Sequence, residues 1–426
     1  MDSIVIQNRL REIEVDLNKG IRQQKGFVRR MLASAVCGLP HMVLGSRGQA
    51  KSAAIRRFAL HVKGANTFQI GCAKTTKLED IVGAPDLPTL KATGKWKTNT
   101  EGKLTEAEIV FLDEVNKLQG DVSNSLLNIL NEREFEGAKI KTRLFLSASN
   151  EDITELRGAR NGKKIDLGGQ EDSLMPFRDR FFFVDDLTPM NLGEKGDFKD
   201  LFKGELPKPN LNLQIGVTEL CWLQDNIEDI VSIPEAEVDR AYDLLVMTQT
   251  GLENRPGTSV EVSPRRVDWM RRALKALAFM DGRTEVSFDD FAHLEWAFWL
   301  TPDQRPVIRE MIRDVGSRIV TQALAVEEMV GDYCAAFRQN KLALHQNKLA
   351  ITTTSMVAKD ASINGVFDAL TLIIDRNISD LQEGVRTSKN LSDSDKQIVT
   401  RTVELLRQKS REAFEINKVA QRAARA

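Results

Sequence analysis

The chain has only four cysteines, Cys37, Cys72, Cys221 and Cys334, and no two of them form a CxxC pair. That spacing excludes a disulfide scaffold and a thiolate metal knuckle, and it fits buried, reduced small hydrophobes in a cytosolic protein. Histidine is just as scarce, with four scattered positions, so the ligand spacing of a protein-built metal site is missing. An excess of one charge is missing too. The 60 Lys and Arg are matched by 61 Asp and Glu, so no global electrostatic footprint points to nucleic acid or an anionic membrane. No uninterrupted apolar run approaches the length that spans a bilayer, and the most apolar late stretch is only Ala297-Phe298-Trp299-Leu300. Met1 to Leu10 has no basic region leading into an apolar core, so no signal peptide is expected and a cytoplasmic location is. A chain of 426 residues is too long for a single hydrophobic core and implies more than one domain.

What is present is a series of apolar runs, each ending in chemistry. Val43-Leu44-Gly45-Ser46-Arg47-Gly48-Gln49-Ala50-Lys51-Ser52 reads as a strand, a glycine-bearing loop, then Lys-Ser opening a helix. Backbone N–H groups of such a loop point into one concavity, where the helix N-terminus adds positive potential. Lys51 would reach the β- and γ-phosphates of a nucleotide and the Ser52 hydroxyl would hold Mg²⁺. Ala50 stands where glycine usually precedes the lysine; alanine is expected to be tolerated by already being helical rather than at positive φ.

Downstream, Ile109-Val110-Phe111-Leu112 reads as a buried parallel strand that stops at Asp113-Glu114. Asp113 becomes the candidate outer Mg²⁺ ligand and Glu114 the candidate base for an attacking water. A third apolar strand, Leu144 to Ser149, ends at Asn150, which can hydrogen-bond a γ-phosphate or the water. Phosphate loop, acidic strand end and polar strand end occur in that order, each after an apolar strand, and together they predict ATP binding and hydrolysis. Two arginine segments follow. Arg178 and Arg180 flank Asp179 before an aromatic run, and Arg265-Arg266 open a helix with Ser263 as its N-cap and Pro264 in its first turn. An arginine fork is suited to charge on a transferring phosphoryl group, one supplied across a subunit boundary and the other in cis from a lid.

These stretches resemble an AAA+ ATPase of the MoxR family, in its RavA-like branch. The resemblance rests on Gly45 to Ser52, Ala107 to Lys117, Leu126 to Phe135, Ser147 to Glu151, Asp179-Arg180-Phe181 and Ser263-Pro264-Arg265, and it spans roughly residues 5–295. Alanine before the lysine is a variant that this branch also carries. The resemblance implies that Gly45, Ser46, Arg47, Gly48, Gln49, Ala50, Lys51 and Ser52 form the Walker A loop. It makes Asp113 and Glu114 the Walker B pair, Asn150 sensor 1, Arg180 the arginine finger and Arg265 sensor 2. Arg178 competes with Arg180, and Arg266 with Arg265. It also implies ATP and Mg²⁺ as cofactors, a homo-oligomeric ring (a hexamer), a von Willebrand factor A-domain partner, and chaperone-like remodeling of a protein client. The glycine-, proline- and lysine-rich stretch from Asp80 to Leu104 suits an insertion of this clade, and Phe135 to Ile140 suits a hairpin turning at Gly137.

The expected fold is α/β: an AAA+ P-loop core with a parallel sheet flanked by helices, then an all-α lid, then a C-terminal helical domain. The expected divisions are residues 1–205, with an N-terminal helical part through Ile13, Leu17, Ile21 and Val28, then 206–301 and 302–426. In the lid, helices are expected from Val217 and from Arg265, and another from Ser287 to near Thr301. Two other functions follow from the same residues. A nucleic-acid motor would use Lys91, Lys95, Trp96 and Lys97 as its only loop contacts, and a nucleotide-gated scaffold would bind a partner with turnover incidental.

Overall fold

Short apolar runs bounded by polar residues form the strands, as their length and lack of alternation predict for segments buried on both faces. The computed structural model describes residues 1–45, 48, 50–150, 179–187, 199–200, 202–204, 206–251, 260–299, 304–316, 323–331, 363–387 and 396–411. The strands are β1 (His41–Leu44), β2 (Val62–Lys63), β3 (Thr67–Gly71), β4 (Ala84–Pro85), β5 (Thr98–Asn99), β6 (Ile109–Asp113), β7 (Glu134–Phe135), β8 (Ala138–Lys139), β9 (Leu144–Ala148), β10 (Phe183–Asp186) and β11 (Ile215–Gly216). Five of them make the central sheet in the order β10-β1-β9-β6-β3, with every neighbouring pair parallel. The chain leaves β1 and next enters the sheet at β3, its far edge, then works back through β6 and β9. The carboxyl end of β1 is therefore a topological switch point, where open parallel sheets leave a crevice for ligands.

Helices α1 (Ser3–Gly20) and α2 (Lys25–Cys37) precede the sheet. Asp2 caps α1 by accepting from the Ile4 and Val5 N–H groups. Ile13, Leu17, Ile21 and Val28 are buried, as the helical spacing predicts. Then come α3 (Lys51–Ala59), α4 (Leu78–Val82), α5 (Leu87–Thr93) and α6 (Gly120–Glu132). The insertion folds as α5 held between β4 and β5, which pair antiparallel. Gly83 is indispensable to that closure: at φ +114 it sits so that a Cβ would lie 1.9 Å from the Asn99 carbonyl oxygen. The expected hairpin is β7–β8, turning through Glu136 and Gly137, both at positive φ.

Helices α7 (Val217–Ile230), α8 (Glu235–Thr250) and α9 (Pro264–Met280) follow. Ser263 caps α9, its side chain accepting from the Arg266 N–H. The helix expected from Ser287 starts with a Ser287–Asp290 capping box but is broken into α10 (Phe288–Phe291), a 3-10 turn (Ala292–Leu294) and α11 (Glu295–Phe298). The tighter turn keeps Phe291, Leu294 and Phe298 all within the core. Thr301 lies outside the described residues.

Residues 1–308 form one compact unit and 309–426 another. In the second, the helix Ile363–Thr387 and helical stretches 323–331 and 396–411 bury Val330, Ile374, Leu381, Ile398 and Leu406. Among the described residues no helix is long and apolar enough to cross a membrane.

Candidate nucleotide site

Parallel register brings three strand tips side by side. Leu44 pairs with Asp186, Val43 with Ala148, and Ala148 with Asp113. The loop after β1, the acids ending β6 and the Asn after β9 thus share one edge of the sheet. The Ser52 hydroxyl, in the first turn of α3, donates to Asp113 Oδ2 at 2.6 Å. Asn150 Nδ2 donates to Glu114 Oε1, and Lys117 ion-pairs with Glu114 Oε2. Lys51 is buried and its Nζ donates to the Gly45 carbonyl at 2.6 Å. Burial pulls its pKa below the ordinary lysine value, and the nearby carboxylates of Asp113, Glu114 and Asp186 oppose that shift. A buried ammonium surrounded by a glycine loop, a helix N-terminus and a hydroxyl–carboxylate pair is the donor set that a magnesium-bound triphosphate needs.

Gly45 answers to a steric demand: at φ +143 its Cβ position is 3.1 Å from the Leu187 carbonyl oxygen. Ala50 corrects the sequence expectation. It is not helical but left-handed, at φ 57 and ψ 21, as the residue just before α3. Lys51 begins the helix only because Ala50 turns the chain there, the conformation for which glycine is the usual choice. Glu114 is also left-handed, at φ 55, so both strained residues of this region lie beside the carboxylate–lysine cluster. Ser46, Arg47 and Gln49 lie outside the described residues, as does Arg178. Asp186, at the tip of β10, and Lys117 belong to the cluster although no pattern in the sequence singled them out. Their relevant neighbours come from other strands or the turn geometry.

Arg265 departs further from the sequence expectation of a residue acting in cis. Arg265 donates to Asn131 Oδ1 at 2.8 Å and lies over the Trp269 ring. Asn131 is on the last turn of α6 and lines one cavity with Arg143, Glu108 and Pro40, which precede β9, β6 and β1. Arg265 is therefore at the amino-terminal edge of the sheet, about 15 Å of strand away from Lys51. The cause is packing: Arg272, two turns further along α9, donates to the Cys37 carbonyl at the end of α2, which fixes that stretch of α9 at the entrance to β1. A sensor acting in cis is not what this placement allows. Arg180 precedes β10 and occupies the same edge, its Nη1 3.0 Å from Asp179 Oδ2. Arg266 is buried and bonded to Asp179 Oδ1 and the Ala297 carbonyl, which makes it a structural tie.

Comparison with known proteins agrees with this architecture. Residues 8–156 match the model of the MoxR domain in the MoxR-vWA-beta-propeller ternary systems, and residues 241–312 match an AAA lid domain. These matches support a MoxR-family AAA+ ATPase. Two uncharacterized proteins of Methanocaldococcus jannaschii are 28% and 26% identical over 76% and 75% of this chain and 79% of each of theirs. A structural protein of Acidianus two-tailed virus is 27% identical over 30% of this chain and 21% of its own. A crystal structure of a candidate ATPase from Cytophaga hutchinsonii superposes with a TM-score of 0.54 at 18% identity, covering 74% of this chain and 94% of that one. At that identity the likeness speaks for the fold alone, and the AAA lid match together with the parallel sheet identifies it as the AAA+ fold. An AAA+ architecture thus accounts for the parallel sheet, the helices matched by the lid domain and the loop that leads into α3 at the switch point.

Proposed function

We propose that the chain is an ATP-hydrolysing AAA+ remodeler of protein complexes, of the RavA-like kind. In this reading it acts in the cytoplasm as a ring of identical subunits, by resemblance a hexamer. It would work with a von Willebrand factor A-domain partner, in keeping with the description of the matched domain. Residues 1–205 would be the nucleotide core, 206–301 the lid and 302–426 a helical domain. The observation that carries the reading is the joining of Ser52 to Asp113 and of Asn150 to Glu114 beside the buried Lys51.

Bound ATP with Mg²⁺ supplies the phosphoanhydride to be broken and a cation that neutralises its developing charge. Lys51 would present its ammonium to the β- and γ-phosphates, while Ser52 and Asp113 would hold the metal. Glu114 would take a proton from the attacking water at a carboxylate oxygen, and Asn150 would orient that water. Lys117 and Asn150 each hold one Glu114 oxygen, which orients the carboxylate and leaves a second acceptor site on each oxygen for the attacking water. Arg180 and Arg265, at the opposite edge, would complete the site of a neighbouring subunit. A motor reading draws on Trp96, 64% exposed between Lys95 and Lys97 in the insertion; stimulation of turnover by single-stranded DNA would favour it.

Equilibrium binding and steady-state turnover test the ATPase. Lys51→Ala is expected to abolish ATP binding. Glu114→Gln should keep it while lowering turnover by about 100-fold or more, the usual loss on removing a general base. Normal turnover by Glu114→Gln defeats the mechanism.

A further inference from the structure

A second cationic concavity lies at the edge of the sheet away from the phosphate loop. This cavity of about 790 Å³ is walled by Arg133, Lys139, Lys141, Arg143 and Arg272, with Trp269 on one side. Only two carboxylates, Glu108 and Asp225, share the lining. Each is already engaged: Glu108 accepts from the Asn66 N–H, and Asp225 pairs with Arg143 at 3.0 Å. Lys141 pairs with Glu106 outside the cavity.

That leaves three cations without a carboxylate within ion-pair distance among the described residues. Arg133 donates only to the Gly38 and Thr142 carbonyls, at 3.3 and 3.4 Å, and its guanidinium lies 4.6 Å from the Phe145 ring centre. Arg272 donates to the Cys37 carbonyl. Lys139, on β8, has no ion pair. Burial, and then the charges of Arg272 and Arg143, push Arg133 down to about 10, well below an ordinary arginine. Like charges gathered in a partly enclosed space are expensive unless a counter-charge joins them. Carbonyl oxygens at the long end of hydrogen-bond range do not provide it.

We propose that this cavity is a binding site for a multiply charged phosphoryl anion, separate from the same chain's nucleotide site on the other edge of the sheet. Arginine forks converging from α6, α9 and the strand β9 entrance match the several oxygens of a pyrophosphate group, and the rim lysines add attraction at longer range. Pyrophosphate chemistry is shared by the inorganic anion and by nucleotides, and Trp269 lines the same cavity.

The test measures pyrophosphate binding by calorimetry to full-length Lys51→Ala protein, in which the Walker loop has lost its lysine. The result therefore does not depend on whether the chain hydrolyses ATP. One site per chain is expected, with affinity falling as salt rises. Arg133→Met should weaken it at least tenfold. Because Arg133 also packs on Phe145, a melting curve accompanies that variant, and the exposed pair Lys139→Gln/Lys141→Gln provides a second that does not touch the core. The pair should weaken binding about threefold and flatten the salt dependence. Displacement of pyrophosphate by ADP assigns the site to nucleotides, and no displacement assigns it to the inorganic anion; both support the site. Absence of pyrophosphate binding, or binding that neither variant alters, overturns it.

Discussion

At the scale of single residues, the loop leading into α3 stores strain in an unusual place. Ala50 holds a left-handed backbone for which an L side chain pays about 1–2 kcal/mol. Ala50→Gly should relieve most of this, offset by about 0.5 kcal/mol because glycine makes the unfolded chain freer. A small rise in the urea midpoint is therefore expected, with ATP affinity kept. Ala50→Val should do the reverse, since a β-branched residue fits that region worst, and ATP affinity should fall with stability. A Val variant as stable as the parent would show that the turn before α3 does not need this conformation. Glu114 carries the same kind of strain at φ 55, held by its two side-chain partners, Asn150 and Lys117. Strain beside the expected base is the usual price of aiming a side chain at a ligand.

Among elements, α2, β1 and β10 are fastened by a polar cluster sealed in the core. Asp185 takes Arg30 and lies 2.9 Å from His41 Nε2, and the Ser34 hydroxyl meets His41 Nδ1 at 3.1 Å. Ser34, His41 and Asp185 form a serine–histidine–aspartate chain, but Ser34 and Asp185 are almost wholly inaccessible and the chain ties secondary structure together. Burial favours the neutral acid at Asp185, yet Arg30 and His41 hold it below the usual carboxylate range. Beside it, burial and the charges of Arg30 and Arg29 push His293 down to about 3 from 6.5. A histidine depressed by folding gives stability that is present above its unfolded pKa and lost as pH falls below 6.5. Between pH 6.5 and 5 the loss should reach at most about 2 kcal/mol. His293→Gln should flatten that slope in urea titrations, whereas an unchanged slope would assign it elsewhere. The strands were legible in the sequence because runs such as Ile109–Leu112 carry their burial in their composition. The hairpin at Gly137 and the caps at Ser263 and Ser287 were legible from local chemistry. The φ of Ala50, the break at Ala292 and the position of Arg265 depend on packing between distant segments, which no local pattern records.

At the scale of the whole molecule, the two groups of residues proposed for catalysis lie at opposite edges of one sheet. Lys51, Ser52, Asp113, Glu114 and Asn150 gather at the carboxyl ends of the strands, and Arg180 and Arg265 at the amino ends. A single chain cannot bring Arg180 to its own phosphate loop without unfolding β10, because β10 is hydrogen-bonded along β1. The proposed head-to-tail ring would resolve this by placing one subunit's amino-terminal edge against the next subunit's carboxyl edge. Subunit mixing tests that arrangement. Arg180→Ala has an intact phosphate loop but no arginine to donate, and Glu114→Gln has an intact arginine but no base. Each alone should be nearly inactive. Mixed in equal amounts, a site works when an Arg180→Ala chain has a Glu114→Gln chain as its arginine donor. Random assembly makes that one half times one half, so about a quarter of wild-type turnover per chain should return. Recovery also requires exchange of subunits, which a fluorescence-transfer signal between labelled chains would confirm in the same sample. If the chains exchange and turnover stays at the sum of the separate variants, Arg180 does not act across a subunit boundary.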